Sequence, residues 1–73
     1  MRYYDCEQGG SLQLTIREDT ATVRFDGRRH VLPRVAASDG ERWTADGILL
    51  WIKDGEPSVT IGDQVLVWGC RAR

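Results

Sequence analysis

The chain of 73 residues contains a single histidine, His30, a single lysine, Lys53, and two cysteines, Cys6 and Cys70. These residue types most often carry acid–base, nucleophilic or metal chemistry. Their spacing here supports none of it. His30 sits in the strand-like stretch RRHVL, where a histidine is a pleat position rather than a base. It has no cysteine partner in a known motif context, and there is no GxSxG, Walker loop or metal-ligand cluster. Cys6 and Cys70 lie near the two ends of the chain, without CxxC spacing or histidine partners, so they are not a metal site. Eleven carboxylates are present, most of them in turn sequences where Asp suits the backbone. A glycosidase-like pair needs a cleft between its carboxylates, and a domain this small has little room for one. The expectation is a protein that is not an enzyme and holds no metal or cofactor.

What remains is VAASDGERWTADGILLWIKDGE, residues 35–56. Nine arginines occur in the chain, yet its one ammonium is Lys53, at the start of an Asp54-Gly55 turn and downstream of Ser38-Asp39-Gly40. If the two loops share one end of a rigid scaffold, a hydroxyl, a carboxylate and an ammonium project together. Rigid presentation of a few polar groups is how an inhibitor fills a cleft at little ordering cost. The plainer alternative is two ordinary turns with solvated charges. The aromatics Tyr3, Tyr4, Trp43, Trp51 and Trp68 pack a core or line a binding face. VRFDGRRHV, with Arg24, Phe25, Arg28 and Arg29, holds a fragment of the interleaved basic and aromatic pattern that binds single-stranded nucleic acid. No RNP-like motif accompanies it, and a net charge of −1 argues against a dominant non-specific nucleic-acid role.

The elements that must position these residues are strands. The length fits one domain, 1–73. SLQLTIR places Leu12, Leu14 and Ile16 on one face, and TATVRFD does the same with Ala21, Val23 and Phe25. Glu18-Asp19, Asp26-Gly27, Ala45-Asp46-Gly47, Asp54-Gly55 and Gly62-Asp63 read as turns, since Asp-Gly readily supplies positive φ. Pro33 is expected to mark a strand end or an edge. ILLWIK, nearly all apolar, is expected to be covered on both faces or to lie at a barrel seam. SVTI and QVLVWGC follow, and no segment has a helical period or caps. The fold expected is all-β, about eight short antiparallel strands closed into a small barrel, because closure removes exposed edges. Cys6 and Cys70 then either meet as a disulfide at the seam or remain two buried thiols. A disulfide closing a loop of about 65 residues stabilises by roughly 4 kcal/mol in the chain-entropy treatment. No apolar run approaches the roughly 18–20 residues of a membrane span. No signal peptide is visible, because MRYYDC opens directly into strand-like sequence.

Nearly the whole chain resembles the MliC/PliC family, the bacterial inhibitors of c-type lysozyme. YDCEQGGSLQLTI is similar to the family's Y-x-C-x-x-G opening. VRFDGRRHVLPRVAAS resembles its D-G…L-x-x-V-x-A-S region, and GERWTADGILLWIKDGE its S-G-x-R-Y…D-G…W-x-K-G-D-E segment. The resemblance implies an eight-stranded antiparallel barrel, a Cys6–Cys70 disulfide, and residence in the bacterial periplasm or as an outer-membrane lipoprotein. It implies one protein partner, a c-type lysozyme, with no nucleic acid and no small-molecule substrate, and a monomer or weak dimer. The family's two loops enter the lysozyme cleft, where a serine and a lysine meet the catalytic carboxylates. On this chain the contact set is Ser38, Asp39, Gly40, Arg42, Trp43, Lys53, Asp54 and Gly55. The lysine corresponds to Lys53. Arg42 keeps the family arginine, and Trp43 replaces the usual tyrosine. Counting back from Arg42 without a gap places Asp39 at the serine position, with Ser38 one residue earlier. Lys53 is followed by Asp-Gly where the family has Gly-Asp. The alternatives are an envelope binding module of the same fold with a lost or altered target, and a small barrel that binds single-stranded nucleic acid.

Overall fold

The computed structural model describes residues 2–73; Met1 lies outside them. Eight strands follow one another: β1 (Arg2–Gln8), β2 (Ser11–Arg17), β3 (Thr20–Phe25), β4 (Arg28–Val35), β5 (Glu41–Ala45), β6 (Ile48–Lys53), β7 (Glu56–Ile61) and β8 (Gln64–Ala72). Each pairs antiparallel with its neighbours in sequence, and β8 pairs back onto β1, so the sheet closes into a barrel. The barrel measures 27 × 24 × 22 Å. Closure satisfies the ladders that open edges would leave exposed.

Alternation decides what faces inward. Leu12 and Leu14 of β2, Ala21, Val23 and Phe25 of β3, Leu32 of β4, Trp43 of β5, and Ile48, Leu50 and Ile52 of β6 form the core with Tyr4, Val59, Val67 and Cys70. The tight turns follow the Asp-Gly signals. Asp26, Asp46 and Asp54 all have φ between 51° and 53°, each followed by a glycine with positive φ. Asp tolerates this region because its short polar side chain can bond locally.

Two expectations need correction. β4 does not end at Pro33, which stays in register opposite Thr20. Pro33 instead marks a change of partner: β4 pairs with β3 up to this residue and with β5 only at Arg34 and Val35. The missing N–H therefore falls where one ladder hands over to the next. ILLWIK is neither covered on both faces nor at the seam. Ile48, Leu50 and Ile52 are buried, Leu49 and Trp51 are half-buried on the outer face, and Lys53 is exposed. The seam is β1–β8, where Cys6 stands directly opposite Cys70 in register and is bonded to it. This decides between the disulfide and two free thiols.

In an up-and-down barrel, successive connections alternate between the two ends. The links β2–β3, β4–β5 and β6–β7 therefore share one rim, together with the start of β1 and the end of β8. The β4–β5 link, residues 36–40, is the longest of the seven.

Candidate functional site

The rim just described carries both stretches of interest. Residues 36–40 cross from β4 to β5, and Asp54-Gly55 turn β6 into β7. β5 and β6 are register neighbours, with Arg42 opposite Trp51 and Glu41 opposite Ile52. This pairing brings the 36–40 loop against the end of β6. The Trp51 indole Nε1–H donates to the Asp39 main-chain carbonyl at 2.9 Å. The Lys53 ammonium lies 2.9 Å from Asp39 Oδ2, both side chains about half exposed.

The Trp51 ring is the base on which these charges rest. Arg42 Cζ stands 5.0 Å from its centroid and Lys53 Nζ 5.6 Å, both within cation–π range. Gly40 is fixed by two requirements. Its φ is +71°, and a Cβ there would run into the Ile52 carbonyl and the Trp51 indole nitrogen. The backbone passes so close to β6 that only glycine fits. At the neck of the loop, Arg34 reaches Glu41 at 3.7 Å and lies 6.0 Å from the Trp43 ring. The loop is thus held by a main-chain anchor, an ion pair and a close backbone approach.

Electrostatically the site is a paired tip. The Lys53 ammonium is held above its ordinary lysine value, first by its hydrogen bond to Asp39 and then by the Asp39 and Asp54 charges. It remains a cation throughout the neutral range. Its chemistry is donation to oxygen acceptors, with no proton to give at physiological pH.

Most of the expected contact residues gather here. Ser38, Asp39, Gly40, Lys53, Asp54 and Gly55 are exposed at the rim, and Arg42 is half-buried beneath them. Trp43 is the exception. It is fully buried as the largest core side chain, so it supports the loop from inside the barrel and offers no surface to a partner. Conversely, Trp51 was absent from the expected contact set although it organises the site. The signal was present: strand alternation puts Trp51 and Lys53 on one outer face, two residues apart. The nucleic-acid pattern loses its aromatic, since Phe25 is buried while Arg24, Arg28 and Arg29 are exposed. His30 packs half-buried against Phe25, ring centroids 5.6 Å apart. Among the described residues, no three His, Cys, Asp or Glu side chains gather as a metal cluster.

A family model described as "membrane-bound lysozyme-inhibitor of c-type lysozyme", MliC, matches residues 4–68. The chain belongs to the MliC family. The MliC match spans both rim loops and Cys6, and stops two residues short of Cys70. Comparison with curated proteins and with solved structures found no match. MliC is a family of inhibitors, so membership points to a lysozyme as partner and to association with the bacterial envelope.

Proposed function

We propose that this protein is a non-enzymatic inhibitor of c-type lysozyme that inserts the 38–40 and 53–55 loops into the enzyme's active-site cleft. Within this reading it protects peptidoglycan from the bacterial periplasm or as an outer-membrane lipoprotein. The observation that carries it is the Lys53–Asp39 pair, held at 2.9 Å on a clamped and exposed rim. Lysozyme cleaves between two carboxyls of unequal character. One is an acid whose raised pKa, about 6, keeps it protonated at mildly acid pH; the other stays ionised. Lys53 supplies an ammonium for the ionised carboxylate. Asp39 supplies an acceptor for the protonated acid. The pair is therefore complementary in charge and in hydrogen-bond sense to the two groups it meets, a role a neutral serine fills differently. Because the loop is already fixed on Trp51, little ordering accompanies insertion.

The experiment is inhibition of cell-wall lysis by a c-type lysozyme. The purified protein slows lysis, and Lys53→Ala weakens this at least tenfold. Full activity in that variant would defeat the loop-insertion mechanism without touching family membership.

One observation favours a second reading. Asp39 occupies the family's serine position and already neutralises Lys53. A barrel with a changed target would look the same at this rim. It predicts no inhibition of c-type lysozyme by the natural sequence and a gain of inhibition in Asp39→Ser.

A further inference from the structure

Strands β2, β3 and β4 contain no Asp or Glu, and they hold five of the nine arginines: Arg17, Arg24, Arg28, Arg29 and Arg34. In a chain of net charge −1 this is a strong segregation. On the outer wall of these strands the register lines up Gln13, Arg24 and Arg29 in one row and Thr15, Thr22 and Val31 in the next. Arg24 and Arg29 are direct cross-strand partners, and like charges directly opposite destabilise a sheet. Neither takes part in an ion pair among the described residues, and the same holds for Arg17. Arg17 lies four residues along β2 from the Gln13 row, about 13 Å away at the rise of a strand. Gln13, Thr15, Arg17, Thr22, Arg24 and Arg29 line a shallow groove of about 380 Å³. The acids of this region, Glu18, Asp19 and Asp26, sit in the two turns that join the three strands.

We propose that this wall docks on a membrane surface of anionic phospholipid. The guanidiniums pair with headgroup phosphates, the hydroxyls of Thr15 and Thr22 add donors, and Val31, 51% exposed, meets the interfacial layer. A phosphate beside Arg24 and Arg29 relieves the repulsion that the fold leaves in place. Two other anionic partners fit less well. Single-stranded nucleic acid needs aromatic platforms, and the three strands expose none, because Phe25 faces the core. An acidic protein needs a pocket for an anchoring side chain, and this wall is a shallow sheet face. In the ring of eight strands β2 and β3 stand across from β6 and β7. Arg24 and Arg29 flank the β3–β4 turn at the far end of the barrel from Lys53, while Arg17 ends β2 at the Lys53 rim; the proposal does not rest on lysozyme inhibition.

The test is cosedimentation with vesicles of phosphatidylcholine alone or mixed with phosphatidylglycerol, at low salt. The natural sequence binds the mixed vesicles, not the neutral ones, and raising the salt releases it. Each surface arginine contributes roughly a fivefold factor, so Arg24→Gln/Arg29→Gln lowers partitioning at least tenfold. Arg17→Gln, at a strand end, lowers it about fivefold and serves if the double variant folds poorly. The matched control Arg42→Gln/Lys53→Gln removes the same charge from β5 and the end of β6, outside the Gln13–Arg24–Arg29 rows, and changes partitioning less than twofold. Three results each overturn the proposal: no binding to mixed vesicles, equal loss in the control, or tighter binding to a single-stranded oligonucleotide than to the vesicles.

Discussion

The Trp51 indole N–H and the Asp39 main-chain carbonyl meet at 2.9 Å across twelve positions of sequence. This one bond ties the longest connection of the barrel to an outward residue of β6, under the Lys53–Asp39 ion pair.

Trp51→Phe keeps an aromatic face for Arg42 and Lys53 but removes the donor. A neutral hydrogen bond is worth about 0.5–1.5 kcal/mol. Inhibition should weaken roughly two- to tenfold, and the thermal midpoint should fall by about 2–12 °C. A larger fall in the midpoint would show that Trp51 is a core residue in practice, against its half-buried position.

Asp39 should make inhibition depend on pH. Below about pH 6 the enzyme's catalytic acid is protonated and can donate to Asp39; above it both groups are anionic and repel. Affinity should therefore be higher at pH 5 than at pH 8. In Asp39→Ser the difference should shrink, because serine has no charge to repel. Calorimetric titration of both inhibitors at the two pH values checks this, and an equal pH response in the two would remove Asp39 from the contact.

Two exposed ion pairs should each add a small pH-dependent contribution to stability. Asp5 titrates below its usual 3.8 because Arg73 hydrogen-bonds it at 2.8 Å and adds its charge. A depressed carboxyl stabilises the fold above 3.8, and the contribution is lost as pH falls through the lowered value. Lys53 is the mirror case. Its contribution is complete below 10.5 and is lost as pH rises through its raised value. Side-chain NMR titration should show Asp5 moving up toward 3.8 in Arg73→Gln and Lys53 moving down toward 10.5 in Asp39→Asn.

Trp43 should act on stability through the core. Trp43 is wholly buried, and its indole nitrogen has no hydrogen-bond partner. Trp43→Ala should cost about 3–5 kcal/mol through the cavity it leaves. Trp43→Phe should cost clearly less, since it removes an unpartnered donor along with part of the ring. Denaturant unfolding of the two variants measures the difference.

The Cys6–Cys70 bond closes a sequence separation of 64. Replacing both cysteines by alanine should remove about 4 kcal/mol, which for a domain of this size is a fall in thermal midpoint of roughly 15–30 °C. Scanning calorimetry of the oxidised protein and the double variant provides the comparison. A fall of only a few degrees would mean that the β1–β8 ladder alone holds the seam.

Much of the barrel was legible because its signals are local. Leu12, Leu14, Ala21, Val23 and Phe25 alternate, and Asp26-Gly27, Asp46-Gly47 and Asp54-Gly55 make turns where expected. Pro33 misled because a proline reads as an end, whereas here it sits where β4 changes partner, which depends on β5 being near. ILLWIK misled because the outward positions Leu49 and Trp51 are themselves apolar, masking the alternation. At the site, Lys53 and Asp39 were visible as residue types. The Trp51–Asp39 hydrogen bond that holds the loop beneath them was not, since it depends on the register of β5 against β6. Trp43 entered the contact set as the counterpart of the family tyrosine after Arg42, yet alternation sends neighbours to opposite faces, and Arg42 took the outer one.

The closed order of strands also dictates a sequence of events. Seven of the eight strand pairings join neighbours in the chain and can zip as hairpins, while only β1–β8 joins the two ends. That contact closes the longest loop of the fold and so has the largest single closure cost. The two thiols face each other only once it has formed, because Cys6 and Cys70 are register partners on those strands. Oxidation is thus gated by completion of the barrel, and the oxidised molecule carries a covalent record that its last strand found its place.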